Sequence, residues 1–156
     1  MKEVDEKVLI YAAGLFDGEG CITIGVSKPS VKKQLKSPSH WLQVAIINTD
    51  KELIDWLQSV FGGHISCSDS HSPSRGNRIP CWAWRVMSNQ AKEFLEQISP
   101  YLKTKKRRAQ IAINFQNERR GMTGSKPPSP EQIARREEYK QKIHKLNLSN
   151  HTILPF

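Results

Sequence analysis

Two carboxylates, Asp17 and Glu19, interleaved with Gly18 and Gly20 at the end of an apolar run, are the residues best placed to do chemistry; the stretch 11–20 reads YAAGLFDGEG. If the run is helical, both acids fall at its C-terminus, where the helix dipole disfavours negative charge by roughly 0.3–1 kcal/mol. A bound cation removes that conflict. Gly14 and Gly18 stand four residues apart and share a helix face, so their missing side chains let a second helix approach closely. That helix belongs either to the same domain or to a second copy of the chain. Glu19 also has an ordinary reading, as an exposed turn residue.

The surrounding pattern predicts the elements that hold these residues. Residues 6–16 are apolar almost all round, as in a buried helix, and Gly20 is a plausible stop. Residues 21–27 then alternate, with Ile22, Ile24 and Val26 on one strand face and Thr23, Gly25 and Ser27 on the other. A Lys-, Ser- and Pro-rich loop over 28–39 leads to a second strand over 41–47, which buries Leu42, Val44 and Ile46. Thr49 and Glu52 have capping-box spacing, and Leu53, Ile54, Leu57, Val60 and Phe61 recur at helical intervals before Gly62 and Gly63. The arrangement repeats: strands over 64–68 and 81–87, the second with Trp82, Trp84 and Val86 on one face, then a helix over 89–98 ended by Pro100. A basic helix is expected over 102–117. Beyond a Gly/Ser/Pro linker, Ser129, Pro130 and Gln132 cap a last helix through Leu146, whose packing residues are Ile133, Ile143 and Leu146. The order is αββαββα with C-terminal helices, an α+β fold. Residues 1–118 form the core domain, 119–130 a linker, and 131–156 an accessory helix and tail.

Composition limits the function classes. A chain of 156 residues, 37% of them hydrophobic, buries one ordinary core. Its net charge of +9, from 24 Lys and Arg against 15 Asp and Glu, favours a polyanionic partner. No secretory signal, membrane span or lipidation motif stands out, so an intracellular, membrane-free protein is expected, its compartment (organelle, bacterium or archaeon) left open. Cys21, Cys67 and Cys81 lack metal or disulfide spacing and are expected as small core residues. His64 and His71 flank Cys67 but form no standard metal pattern.

Residues 12–20, AAGLFDGEG, resemble the signature of LAGLIDADG homing endonucleases. LQVAIINTDKELIDWL at 42–57 and SPYLKTKKRRAQIAI at 99–113 resemble the family's second strand with its following helix and its basic stretch. The resemblance implies a four-stranded, antiparallel, saddle-shaped sheet over DNA. It also implies that Glu19, with Gly18 beside it, binds a divalent metal, Mg2+ with Mn2+ or Ca2+ able to occupy the same site. Each metal site activates a water against one strand of double-stranded DNA. One motif per chain then implies a homodimer with Ala13, Gly14, Asp17 and Gly18 at the interface and a roughly palindromic target. Asp17, the family's first acidic position, is expected to support the helix end.

Lys105 matches the basic residue that the family places near the scissile phosphate. The polar residue usual at the end of the second strand is absent, since that segment reads AIIN; Ile46 stands near the position, leaving Asn48 or Gln43 to serve. Recognition of DNA is expected from the outward strand residues Thr23, Ser27, Gln43, Ser66, Ser68 and Arg85. Lys28, Lys32, Lys33, Lys36, His40, Arg75 and Arg78 join them from strand ends and loops, and Lys103, Lys106 and Arg107 from the basic stretch. Amide and guanidinium groups read base edges, whereas lysines mostly neutralise phosphates. The alternative is a nuclease-inactive relative acting as an RNA-binding maturase or DNA-binding regulator. A purely structural basic dimer gives no reason for two acids at a helix end.

Overall fold

The computed structural model describes residues 3–68, 80–120 and 126–149. The elements are α1 (Glu6–Glu19), β1 (Gly20–Ser27), β2 (Ser39–Asn48), α2 (Lys51–Phe61), β3 (His64–Ser68), β4 (Cys81–Met87), α3 (Ser88–Ile98), a 3-10 turn (Ser99–Tyr101), α4 (Lys106–Arg120) and α5 (Pro130–Ser149). The expected αββαββα order and α+β class are those observed. Asp5 starts α1 by accepting the Lys7 N–H at 2.8 Å. At Gly20 the chain turns from helix to strand directly over Phe16. A Cβ there would sit 2.1 Å from the Phe16 ring, so only glycine fits the junction.

The sheet runs β1-β2-β4-β3, antiparallel throughout. Strict alternation sends Ile22 and Ile24, Leu42, Val44 and Ile46, and Trp84 and Val86 to the helix-covered face. Among the described residues the core helices pack against that face alone, and the opposite face is the open face. Beneath the sheet, Phe94 of α3 meets Phe16, Phe61 and Trp84 at centroid distances of 5.6, 4.9 and 5.0 Å, all edge-on. Each fully buried ring contributes about 1.5–3 kcal/mol of transfer free energy, so this cluster anchors α1 to the sheet. The Trp84 indole also donates to Gly62 O at 2.7 Å, which removes the cost of burying its N–H.

Several local expectations are corrected. The cap of α2 is Asp50, which accepts from Leu53 N at 3.2 Å, rather than Thr49. The second strand begins two residues early, at Ser39, because Ser27 pairs with it. The basic helix begins at Lys106, not residue 102; Lys103 to Lys105 are held as a turn by Asp17. Cys21 and Cys67 are exposed and Cys81 half-buried, so none is a core residue. The capping box at Ser129 and Gln132 is present in both directions, at 2.8 and 3.3 Å. From it α5 runs back along β1, burying Ile143, setting Tyr139 edge-on against Phe115, and donating from Asn147 to Ile22 O at 3.0 Å. That last bond satisfies a carbonyl on an edge strand.

Candidate active site and nucleic-acid interface

Asp17 and Glu19 leave the end of α1 in different directions. Asp17 turns toward α4 and accepts three hydrogen bonds, from Lys103 N at 2.7 Å, Lys105 N at 2.9 Å and Thr104 Oγ1 at 3.0 Å. Burial alone pushes the Asp17 carboxyl up, but the bonds from Lys103, Lys105 and Thr104 outweigh it and hold the pKa below the usual value. The donors of the turn that leads into α4 therefore offset the negative C-terminus of α1 at this residue. Glu19 has no such partner: its side chain is exposed and takes no hydrogen bond or salt bridge among the described residues.

Lys105 lies between them. It is 8% exposed, and its ammonium donates to Asp17 O at the end of α1. Burial lowers its pKa, and Arg108 beside it adds to the effect, against opposing fields from Asp17, Cys21 and Glu19. The structure thus gathers Glu19, Lys105 and the start of β1 in one place. Arg108, which sequence reasoning passed over, is 6% exposed and donates to Leu146 O at 3.0 Å, tying this corner to α5.

The motif glycines point away from the fold. A Cβ on Gly14 or Gly18 would meet nothing within 4 Å, so no helix of the same domain occupies that face among the described residues. Ile10 and Tyr11, 50% and 55% exposed, extend the same face and are interface candidates that their spacing before Gly14 already indicated. Two expected interface residues lie elsewhere: Ala13 is fully buried in the core, and Asp17 is engaged with α4.

On the open face, the register aligns Thr23 with Gln43 and Met87, and Cys21 with Ala45, Arg85 and His64. Thr23, Ser27, Gln43, Ser66 and Arg85 are all half-exposed, and Arg85 Nη1 donates to Ser66 Oγ. Ser68 closes β3 at the pair with Cys81. Alternation also brings Trp41, Ile47 and Met87 to this face, three residues the candidate set lacked. The Trp41 indole covers Gly25, whose Cβ would lie 2.2 Å from it. Lys28, Lys32, Lys33 and Lys36 are exposed around the β1–β2 connection, as are Lys103, Lys106 and Arg107 at the start of α4. Arg75, Arg78 and His71 lie outside the described residues.

His40 is corrected: it is 1% exposed on the helix-covered face, where Nε2 bonds to Glu137 of α5 at 3.0 Å. Neither substitute at the end of β2 is equivalent. Asn48 sits on the helix-covered side of the alternation, its Oδ1 accepting from Asp50 N at 2.8 Å, whereas Gln43 stands on the open face but five residues earlier in β2. Ile46 is fully buried, and the open-face residue at that strand end is Ile47, 49% exposed.

Residues able to hold a metal are few. Among the described residues no group of three or more His, Cys, Asp or Glu converges. One unpaired carboxylate on Glu19 suits a hard divalent cation only if other oxygens complete the shell, and the Gly18 carbonyl, in the last turn of α1, is one within the chain. The donor set fits a magnesium ion shared with phosphate oxygens and water. No described helix is long and apolar enough to cross a membrane.

Comparison with known proteins places the fold. The chain resembles the homing endonuclease I-CvuI, solved in complex with the I-CreI target in the presence of Mg with the DNA not cleaved, at 15% identity and a TM-score of 0.70, covering 90% of this chain and 82% of that one. An archaeal intron-encoded homing endonuclease, I-Vdi141I, complexed with DNA, gives 14% identity and a TM-score of 0.70, with 91% and 86% covered. I-SmaMI, bound to cleaved DNA, gives 18% and 0.64; the match covers 92% of this chain but 47% of that one. A search of the curated proteins finds no match. The family model described as LAGLIDADG endonuclease matches residues 12–117, more than half of the sequence. The chain belongs to the LAGLIDADG endonuclease family.

Proposed function

We propose that the chain is a site-specific homing endonuclease that binds a long, roughly palindromic double-stranded DNA as a homodimer and hydrolyses one phosphodiester per strand with a divalent metal. The observation that carries this reading is the open face of α1: Gly14 and Gly18 meet nothing, and the unpartnered Glu19 carboxylate follows directly. A second copy packed on that face brings two Glu19 side chains together, one for each DNA strand. Each Glu19 supplies a carboxylate oxygen to the cation. A bound magnesium polarises the phosphate and lowers the pKa of water. Lys105, held by Asp17 O, sets a positive charge against the phosphate as the water oxygen bonds to phosphorus and a backbone phosphorus–oxygen bond breaks. The sheet's open face lies in the major groove, and the lysines of the β1–β2 connection neutralise phosphates.

The test is cleavage of a randomised duplex library with Mg2+ by the parent and by Glu19→Gln, alongside sedimentation on DNA. Cleavage by the parent and its loss in the variant support the mechanism; parent-rate cleavage by the variant removes Glu19 from it, and a monomer on DNA removes the dimer. A second reading has its own support, the apolar end of β2, where Ile46 is buried and the exposed side chain beside it is the apolar Ile47. On that reading the chain is a nuclease-inactive maturase or regulator, and tight binding to structured RNA or DNA without cleavage favours it.

A further inference from the structure

Resting on the DNA-binding reading, we infer that Arg85, aimed by Ser66, is the guanine reader of each half-site and sits about two base pairs nearer the cut than the base read by Gln43. Among the described residues Arg85 is the one Lys, Arg, Asp or Glu side chain on the open face of the sheet; the other cations lie in the β1–β2 connection and at α4. A chain of net charge +9 that keeps its lysines at the periphery has not placed this arginine for bulk neutralisation. It is half-buried, opposite Ala45 on β2 and His64 on β3, and flanked along its own strand by Ala83. Both alanines are buried, 8% and 2% exposed, and neither side chain is long enough to reach past the guanidinium.

Nη1 is already committed to Ser66 Oγ on the neighbouring strand. That bond fixes the plane of the guanidinium, and the remaining N–H groups form the planar fork that matches guanine O6 and N7. Ser66 is thus a positioning residue. The register supplies the ruler. Glu19 immediately precedes β1, and Cys21, two residues on, stands in the row of Arg85; Thr23, two further on, stands in the row of Gln43. Rows two residues apart are roughly 7 Å apart along a strand, close to two base-pair steps of about 3.4 Å.

The experiment is selection of a randomised duplex library by the full chain in Ca2+, repeated with Arg85→Gln, Arg85→Lys, Ser66→Ala and Gln43→Ala. The parent enriches a palindrome with one guanine per half-site that Arg85→Gln abolishes, with a loss of roughly five- to 150-fold in discrimination, the range of one bidentate contact. Arg85→Lys keeps overall affinity and loses the preference, and Ser66→Ala weakens it at the same position alone. Gln43→Ala relaxes a position about two base pairs further out. If Arg85→Gln instead weakens all sequences equally and lowers the salt slope by about one, the side chain is a phosphate contact and the inference is overturned. A guanine preference that survives Arg85→Gln also overturns it while leaving the DNA-binding reading intact; enrichment of nothing by the parent overturns both.

Discussion

Replacing Asp17 by alanine tests whether one carboxylate joins the motif helix to the basic turn that carries Lys105. Two backbone N–H groups and one hydroxyl lose their acceptor. A side-chain cap on a helix start contributes about 0.5–2 kcal/mol, and a hydrogen bond to a charged group about 1.5–3. Because the site is half-exposed, water recovers part of this, and about 2–4 kcal/mol is the expected loss. For a chain of this length that lowers Tm by roughly 4–16 °C. Asp17→Asn keeps one acceptor oxygen and falls between, while Thr104→Val removes a single bond and costs about 1 kcal/mol. Folded, the Asp17 pKa lies below its unfolded value, so its stabilisation is present above about pH 4 and disappears as pH falls through the folded value. Thermal unfolding followed by circular dichroism from pH 7 to pH 2 reads all of this. If Asp17→Ala costs no more than Thr104→Val, or if its deficit is unchanged in acid, the carboxylate does not anchor α4.

Three further outcomes follow from the same geometry. Gly14→Leu meets open space in the single chain and keeps the parent's circular dichroism spectrum, yet sediments as a monomer; a persisting dimer places the contact elsewhere. Gly25→Ala drives a methyl into the Trp41 indole and costs about 1–3 kcal/mol, a penalty that disappears when Trp41→Ala is made as well. An undiminished penalty in the double variant shows that the indole is not the obstacle. Glu137 is held down to about 2, first by His40 and then by Lys140 and Gln141, so the advantage of the parent over Glu137→Gln is full above about pH 4.3 and fades toward pH 2. A difference in Tm that does not change over that range removes the ionised Glu137 carboxylate from the docking of α5.

What the sequence disclosed and what it hid divide along one physical line. Period-two and period-3.6 patterns report which residues share a face, so the strand alternation, the buried helix and the motif glycines were legible from residue types alone. Partners across the fold leave no such trace. His40 reads as one more cation beside a basic loop until α5, 97 residues away, is seen to bring Glu137 against it. Asp17 reads as a support of its own helix end, and nothing local shows that residues 103–105, 86 to 88 positions on, supply its donors. Ala13 reads as an interface residue because it adjoins Gly14, yet one step around a helix turns it by about 100°, into the core. The conflict of two acids at one helix end is thereby split: the turn that leads into α4 answers the charge of Asp17, and only Glu19 is left for a cation. A single unanswered carboxylate cannot fill a magnesium shell, which needs near-octahedral oxygen ligation. Glu19 follows Gly18 directly at the end of α1, so the acid short of ligands stands beside the face open to a second chain. In the proposed homodimer, assembly and metal binding are then coupled: Glu19→Gln should leave Gly14-mediated pairing intact, whereas Gly14→Leu should lose both pairing and cleavage.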